Sequence, residues 1–229
     1  MYDLYIGNKN YSSWSLRPWV LMRMLGIGFN EKLVPFGTAP DGSNEFRAFS
    51  PSGKVPCLID AGHTMWDSLA ITEYLAERHA GVWPEDLVAR AWARCAAAEM
   101  HSGFFALREC CTMNCGVRIQ LRDTPPALMK DLHRLSELWA DGLERFGGPF
   151  LAGDRFTAVD AFFAPVAFRI QTYGLELATP VQEYAERLLA LEPMRQWESE
   201  ALKEPWRDEP HEAEARAAGR WIDDLRQRG

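Results

Sequence analysis

No run of apolar residues in this 229-residue chain approaches the roughly 18 needed to cross a bilayer, so no membrane span is expected. An excess of basic charge is missing too. The 25 Lys and Arg stand against 32 Asp and Glu, and the net charge of −7 argues against a polyphosphate-binding surface and a nucleic-acid partner. The opening residues, Met1-Tyr2-Asp3-Leu4-Tyr5, lack the basic segment and apolar core of a secretory signal. Cysteine is sparse and odd in number: Cys57, Cys95, Cys110, Cys111 and Cys115. Reduced thiols in a cytoplasmic setting fit that usage better than a disulfide framework. Cys110, Cys111 and Cys115 do not have zinc-ligand spacing and no His-rich segment lies near, so no metal centre is expected. Repeats and low-complexity tracts are absent. What remains has ordinary globular composition, and a chain of this length buries a core without disulfide or metal staples.

Two textures divide the chain. In the first 80 residues short strands alternate with helices. Asp3–Gly7 reads as a strand, and Ser15–Leu25 as a helix with Leu16, Val20 and Met24 in register, stopped by Gly26 and Gly28. Glu31–Phe36 reads as a second strand, Asn44–Phe49 as a short helix or turn, and Val55–Asp60 as a third strand. That strand pairs with His63–Trp66 across Ala61-Gly62, and Leu69–His79 is helical. The order βαβ-ββα implies a mixed sheet with helices on its faces. Beyond a linker at residues 81–86, every long segment has helical period and no strand is predicted. Expected helices are Leu87–Cys111 as one piece, Pro126–Phe146, Thr157–Tyr173, Val181–Leu191 and Met194–Leu202. The predicted fold class is therefore a small α/β domain (residues 1–80) followed by an all-α domain (residues 87–229). The charged tail from Lys203 keeps Trp206, Trp221, Ile222 and Leu225, which suit partial packing.

Three segments carry candidate chemistry. Ser12-Ser13-Trp14-Ser15 lies where the first strand meets the first helix, with unpaired, partly positive N–H groups around it. Such a site lowers a thiol's pKa. A thioredoxin-like βαβ unit holds Cys-x-x-Cys here; this chain has serines at that spacing, so disulfide exchange by the protein itself is not expected. The hydroxyls suit a thiolate brought by a ligand, although helix capping is the commoner role of such a serine. In Gly53-Lys54-Val55-Pro56-Cys57-Leu58, a proline opening a buried strand is unusual. A cis Val55–Pro56 bond would leave the Val55 backbone facing a cleft, while a trans edge proline is the ordinary case. In Trp66-Asp67-Ser68-Leu69-Ala70-Ile71, Ser68 suits a carboxylate and Asp67 an ammonium, or the pair simply caps a helix.

Together these motifs resemble the glutathione S-transferase superfamily over nearly the whole chain, in a bacterial branch with a zeta-like serine signature. Ser12-Ser13-Trp14-Ser15-Leu16-Arg17 is similar to the zeta-class serine–cysteine motif, with Trp14 where that class has cysteine. The resemblance implies a thioredoxin-like N-terminal domain, a C-terminal helical bundle and glutathione as co-substrate. It implies Ser12, then Ser13, as partner of the glutathione thiolate. Lys54, Val55 and Pro56 would belong to the tripeptide-binding strand, and Asp67 and Ser68 would hold the γ-glutamyl end. The expected activity is thiolate attack on a small electrophilic hydrophobic substrate, as in detoxification. Glutathione-dependent cis–trans isomerisation of the maleylacetoacetate isomerase kind, or a non-catalytic binding protein, are the alternatives. A cytoplasmic homodimer is implied as well. By the same resemblance His101 lies on a helix bordering the second-substrate pocket, where a plain core or surface histidine is an equal reading. Thr157-x-x-Asp160 reads as a structural capping box.

Overall fold

The computed structural model of the chain describes residues 1–37 and 44–226. β1 (Tyr2–Ile6), α1 (Ser13–Met24) and β2 (Phe29–Leu33) form a βαβ unit. Its strands pair in parallel, Tyr2 opposite Phe29 and Ile6 opposite Leu33. β3 (Cys57–Asp60) lies antiparallel on the other side of β1, with Leu4 opposite Leu58. β4 (His63–Met65) completes the sheet order β2-β1-β3-β4. Ala61 and Gly62 both take positive φ, +48° and +83°, which is the backbone a two-residue hairpin turn requires. α2 (Ser68–Ala76) follows, and buried Ile71 and Leu75 pack it on the sheet side. The mixed α/β order read from the sequence is the one observed; β2 begins and ends earlier than expected, and β3 starts only after Pro56.

The helices that follow are α3 (Leu87–Ser102), α4 (Phe105–Cys110), α5 (Pro126–Phe146), α6 (Ala158–Tyr173), α7 (Thr179–Ala190), α8 (Glu192–Lys203) and α9 (Glu209–Ala218). α6 is the axis of this half. Of its 16 residues only Gln171 is not buried, so it is covered on every face, with Asp160, Arg169 and Thr172 buried among its apolar side chains.

Two expectations are corrected. Leu87–Cys111 is not one helix. Gly103 is extended and Phe104 takes φ +56°, which splits it into α3 and α4. The break is held from both sides: Arg108 Nε donates to Gly103 O at 3.0 Å, and Asp131 accepts from the Leu107 N–H at 3.0 Å. The second half also contains strands. β5 (Val117–Leu121) pairs antiparallel with β6 (Gly219–Asp224), Val117 opposite Asp224 and Leu121 opposite Gly219. Val117-Arg118-Ile119-Gln120-Leu121 does alternate with period two, but its partner lies about a hundred residues away and does not. The tail thus packs as α9 and β6, apart from residues 227–229, which lie outside the described residues.

The capping box starts α6 and does more besides. The buried Asp160 carboxylate accepts from the Thr157 N–H (2.9 Å), the Leu151 N–H (3.0 Å) and the Tyr184 hydroxyl (2.8 Å). Burial pushes its pKa up to about 6 against the pull of those three donors. Asp160→Ala leaves three buried donors unpaired, and urea denaturation should register a loss of about 3 kcal/mol or more.

Candidate active site

The loop from Gly7 to Ser12 joins β1 to α1, and it is buried throughout. Side chains from the far end of the chain hold it. Glu204, just past α8, accepts the N–H groups of Lys9 (2.7 Å) and Asn10 (3.3 Å). Trp197 Nε1 donates to Lys9 O at 2.8 Å. Asn10 O and Oδ1 accept from the Cys115 and Gly116 N–H groups. The Tyr11 hydroxyl donates to Glu212 Oε1 at 2.6 Å, and Glu212 is itself paired with Arg226 at 2.5 Å. The buried Lys9 ammonium is neutralised by Glu31 (2.6 Å) and Glu200 and faces the rings of Trp19 and Trp197. Burial pushes the Glu204 carboxyl up to about 7 and, with Glu212 as acceptor, the Tyr11 phenol up to about 12.

This loop delivers Ser12 and Ser13 to the wall of a cleft of about 630 Å³. Ser12 occupies the N-cap position of α1, yet its hydroxyl does not cap. It donates to Ser15 Oγ at 2.7 Å, and Ser15 Oγ accepts the Gly7 N–H at 3.2 Å. The N–H groups of Trp14 and Ser15, at the helix start, have no partner among the described residues. Ser13, Lys54 and Val55 line the same cleft. The Val55–Pro56 bond is cis, Pro56 is buried behind it, and the Val55 N–H and C=O have no partner among the described residues.

Asp67 and Ser68 do not line that cleft. Asp67 caps α2, accepting from the Leu69 N–H at 3.0 Å, and its other oxygen lies 3.3 Å from His101 Nε2. Ser68 is fully buried, and its hydroxyl has no hydrogen-bond partner. His101 connects this corner to the cleft, for its ring also meets the edge of Trp14 at 5.2 Å. It does not line the cleft itself. Burial, reinforced by Arg17 and Arg108 and opposed by Asp67, lowers its pKa, so it is neutral at pH 7.

The Trp14 indole forms part of the cleft wall. The guanidinium of the fully buried Arg17 stacks 4.1 Å from its ring centre, and that of Arg108 4.8 Å. Arg17 makes no hydrogen bond through any of its three nitrogens; Phe162, 4.9 Å away, closes its other side. Arg108, Arg169, Thr112, Met113, His211 and Glu214 face Ser12 from the helical half, so this wall offers guanidinium groups beside apolar contact. Burial and the neighbouring Arg169 lower the Arg108 pKa to about 10. Arg169 Nε and Thr112 Oγ1 are buried without partners. Sequence reasoning did not reach Arg108, Arg169, Glu204, Glu212 or His211, because single charged residues in helices carry no local motif.

Three of the protein's own thiols, Cys57, Cys111 and Cys115, are ill suited to nucleophilic work. All five cysteines are free, and burial pushes Cys57 up to about 11, Cys111 up to about 12 and Cys115 upward as well. Among the described residues no cluster of His, Cys, Asp or Glu suits a metal ion, and no helix is long and apolar enough to cross a membrane.

A serine hydroxyl at a helix start thus stands near a cis-proline strand, with an acidic-serine helix cap close by, in a domain of mixed α/β order. Family models agree: residues 11–78 match the N-terminal domain of glutathione S-transferase and residues 85–224 its C-terminal domain, so the chain belongs to the glutathione S-transferase family. Among curated relatives, the maleylacetoacetate isomerase of Rattus norvegicus is 27% identical over 198 residues, spanning 82% of this chain and 88% of its own. Glutathione S-transferase 1 of Dianthus caryophyllus is 27% identical over 184 residues, 77% of this chain and 80% of its own. A solved maleylacetoacetate isomerase from Methylobacterium extorquens AM1, with bound malonate and glutathione, superposes with a TM-score of 0.65 at 22% identity. It covers 89% of this chain and 98% of that one, and it shares the fold.

Glu204 generates a prediction about pH. Its folded pKa, about 7, lies above the ordinary glutamate value, so between about pH 4.5 and 7 the folded protein binds more protons than the unfolded chain. Stability contributed by this group therefore falls as pH rises through that window. Comparing urea midpoints of the wild type and Glu204→Gln at pH 5 and pH 7.5 should show the difference moving against the wild type at the higher pH.

Proposed function

We propose that this chain is a glutathione transferase in which Ser12 holds the thiolate of bound glutathione for attack on a small electrophile. The carrying observation is the chain Gly7 N–H, Ser15 Oγ, Ser12 Oγ at the open start of α1. With a thiolate present, Ser12 turns its proton to the sulfur and accepts from Ser15, which Gly7 in turn supports; each bond polarises the next. A free thiol has a pKa of about 8.5, and lowering it by about two units requires about 2.7 kcal/mol. One hydroxyl hydrogen bond to an anion supplies about 1.5–3 kcal/mol. The helix N-terminus adds about 0.3–1 kcal/mol. Val55 supplies the open backbone pair for the cysteinyl unit, Lys54 a nearby cation, and Asp67 and Ser68 the γ-glutamyl corner. Ser13 stands second to Ser12, because its hydroxyl is outside the hydrogen-bonded chain.

A second reading has an observation of its own. Arg108 and Arg169, the latter with a buried unpaired Nε, face the serine across the cleft and favour an electrophile that carries a carboxylate. With an unsaturated acid, addition of the thiolate, rotation and release would give cis–trans isomerisation instead of conjugation. We further propose a cytoplasmic homodimer, supported by the free cysteines and by exposed apolar side chains at Trp66, Leu87 and Val88. Sedimentation at micromolar concentration should give twice the chain mass.

Ser12→Ala should reduce kcat for conjugation by about 100-fold, the order of one missing anion-stabilising donor, while calorimetry shows glutathione bound within a few-fold of the wild-type affinity. Unchanged turnover would remove Ser12 from the chemistry. Product analysis with a cis-dienoic acid separates isomer from adduct.

A further inference from the structure

Thiol ionisation needs a proton acceptor, and the hydroxyl chain at Ser12 has none. It stabilises the anion but has no group to hold the released proton. We infer that His211 on α9 is the acid–base residue of this site, with Asp208 as its positioning residue; this rests on the glutathione reading above. His211 lines the same cleft as Ser12 and Ser13. Its ring is sandwiched between Tyr11 (centroids 5.1 Å apart, planes at 22°) and Phe36 (5.3 Å, 30°). Nδ1 lies 2.5 Å from Asp208 Oδ2, and the same oxygen accepts the His211 backbone N–H at 3.3 Å. The Asp208 side chain is 11% exposed and that of His211 32%. Both ring faces and Nδ1 are thus engaged, while Nε2 has no hydrogen bond among the described residues.

That arrangement is a base with an orienting carboxylate. Donation of Nδ1–H to Asp208 leaves the lone pair on Nε2, and the two stacked rings fix the plane of the imidazole. Other polar groups of the cleft are poor substitutes. The Tyr11 phenol is committed to Glu212 and held protonated, and Arg108 and Arg169 donate only. Lys54, Glu45 and Glu214 line the same cleft without an orienting partner of this kind.

The step balances as follows. The S–H bond of glutathione breaks and an Nε2–H bond forms, leaving a thiolate on Ser12 and an imidazolium on Asp208. When the sulfur adds to an activated alkene, the C–S bond forms and the π pair moves to the adjacent carbon. That carbon takes the Nε2 proton, and the imidazole returns to its neutral form. Isomerisation expels the sulfur again before any carbon is protonated, so His211 matters more to net addition than to isomerisation.

The test compares wild type, His211→Gln, His211→Ala and Asp208→Asn. Each is titrated with glutathione by calorimetry, scanned for the ultraviolet thiolate band at neutral pH, and assayed for addition to an aryl enone. Expected are unchanged glutathione affinity, a weaker thiolate band, and a kcat about 100-fold lower for His211→Gln. Free imidazole should restore part of the rate to His211→Ala, through the slot between Tyr11 and Phe36. Asp208→Asn should weaken the thiolate band in the same direction but by less. Wild-type kcat and thiolate band in His211→Gln would overturn the inference and leave the Ser12 reading standing. So would a rate loss that imidazole does not restore and that tracks a loss of glutathione affinity. If the wild type itself fails to bind glutathione, the transferase reading falls and the inference with it.

Discussion

Everything in this site depends on how the loop between β1 and α1 is held. The loop carries two hydrophilic side chains into the interior, Asn8 and Asn10, together with the Lys9 ammonium, and it would be costly to bury without partners. Asn8 Oδ1 accepts from the Phe36 N–H and Asn10 Oδ1 from the Gly116 N–H, Glu31 and Glu200 pair with Lys9, and the end of the chain adds Glu204 on the Lys9 and Asn10 N–H groups and Glu212, backed by Arg226, on Tyr11. The helical half is therefore a clamp on the loop as well as a wall of the cleft. A carboxylate that accepts backbone N–H groups fixes the main chain, and the main chain fixes where the Ser12 hydroxyl stands.

The cleft favours anions from both of its walls. Near Ser12 an anion must be favoured, and hydroxyl donors and a helix start provide for that. Across from it Arg108 and Arg169 add positive field, with Arg17 buried under Trp14. The carboxylates that act on them are Asp67 for Arg17 and Glu214 for Arg169, both exposed, and the half-buried Asp131 for Arg108. Burial lowers the pKa values of both Arg108 and Arg169, with Arg169 adding to the effect on Arg108, and an anion entering the cleft favours their charged forms. A thiolate and an acidic electrophile share that benefit. Trp14 has a place in the same balance. Its ring face holds Arg17 and Arg108, and the indole joins the cleft wall.

Local patterns made the first half of the fold readable. β1, α1 and the β3–β4 hairpin follow from hydrophobic period and the Ala61-Gly62 turn, and the Gly53–Leu58 and Trp66–Ile71 motifs point to their corners of the site. The limits lie in distance along the chain. Lys9 and Glu204 are 195 residues apart, Tyr11 and Arg226 are 215 apart, and neither pair leaves a local trace. β5 alternates correctly yet needs β6, whose Gly219-Arg220-Trp221-Ile222-Asp223-Asp224 does not. The single helix expected over Leu87–Cys111 fails at Gly103, where the residues alone cannot distinguish a tolerated glycine from one that ends a helix. His211 reads as one more charged position in a polar tail until α9 brings it against Tyr11.

We propose that a thiol from outside the chain is ionised at the start of α1 by Ser12. A crystal structure of the protein soaked with glutathione tests it most directly. The expected result is the sulfur within hydrogen-bond reach of Ser12 Oγ, the cysteinyl backbone paired with Val55, and the γ-glutamyl end against Ser68. Glutathione lying elsewhere, or bound with its sulfur turned away from Ser12, would contradict it.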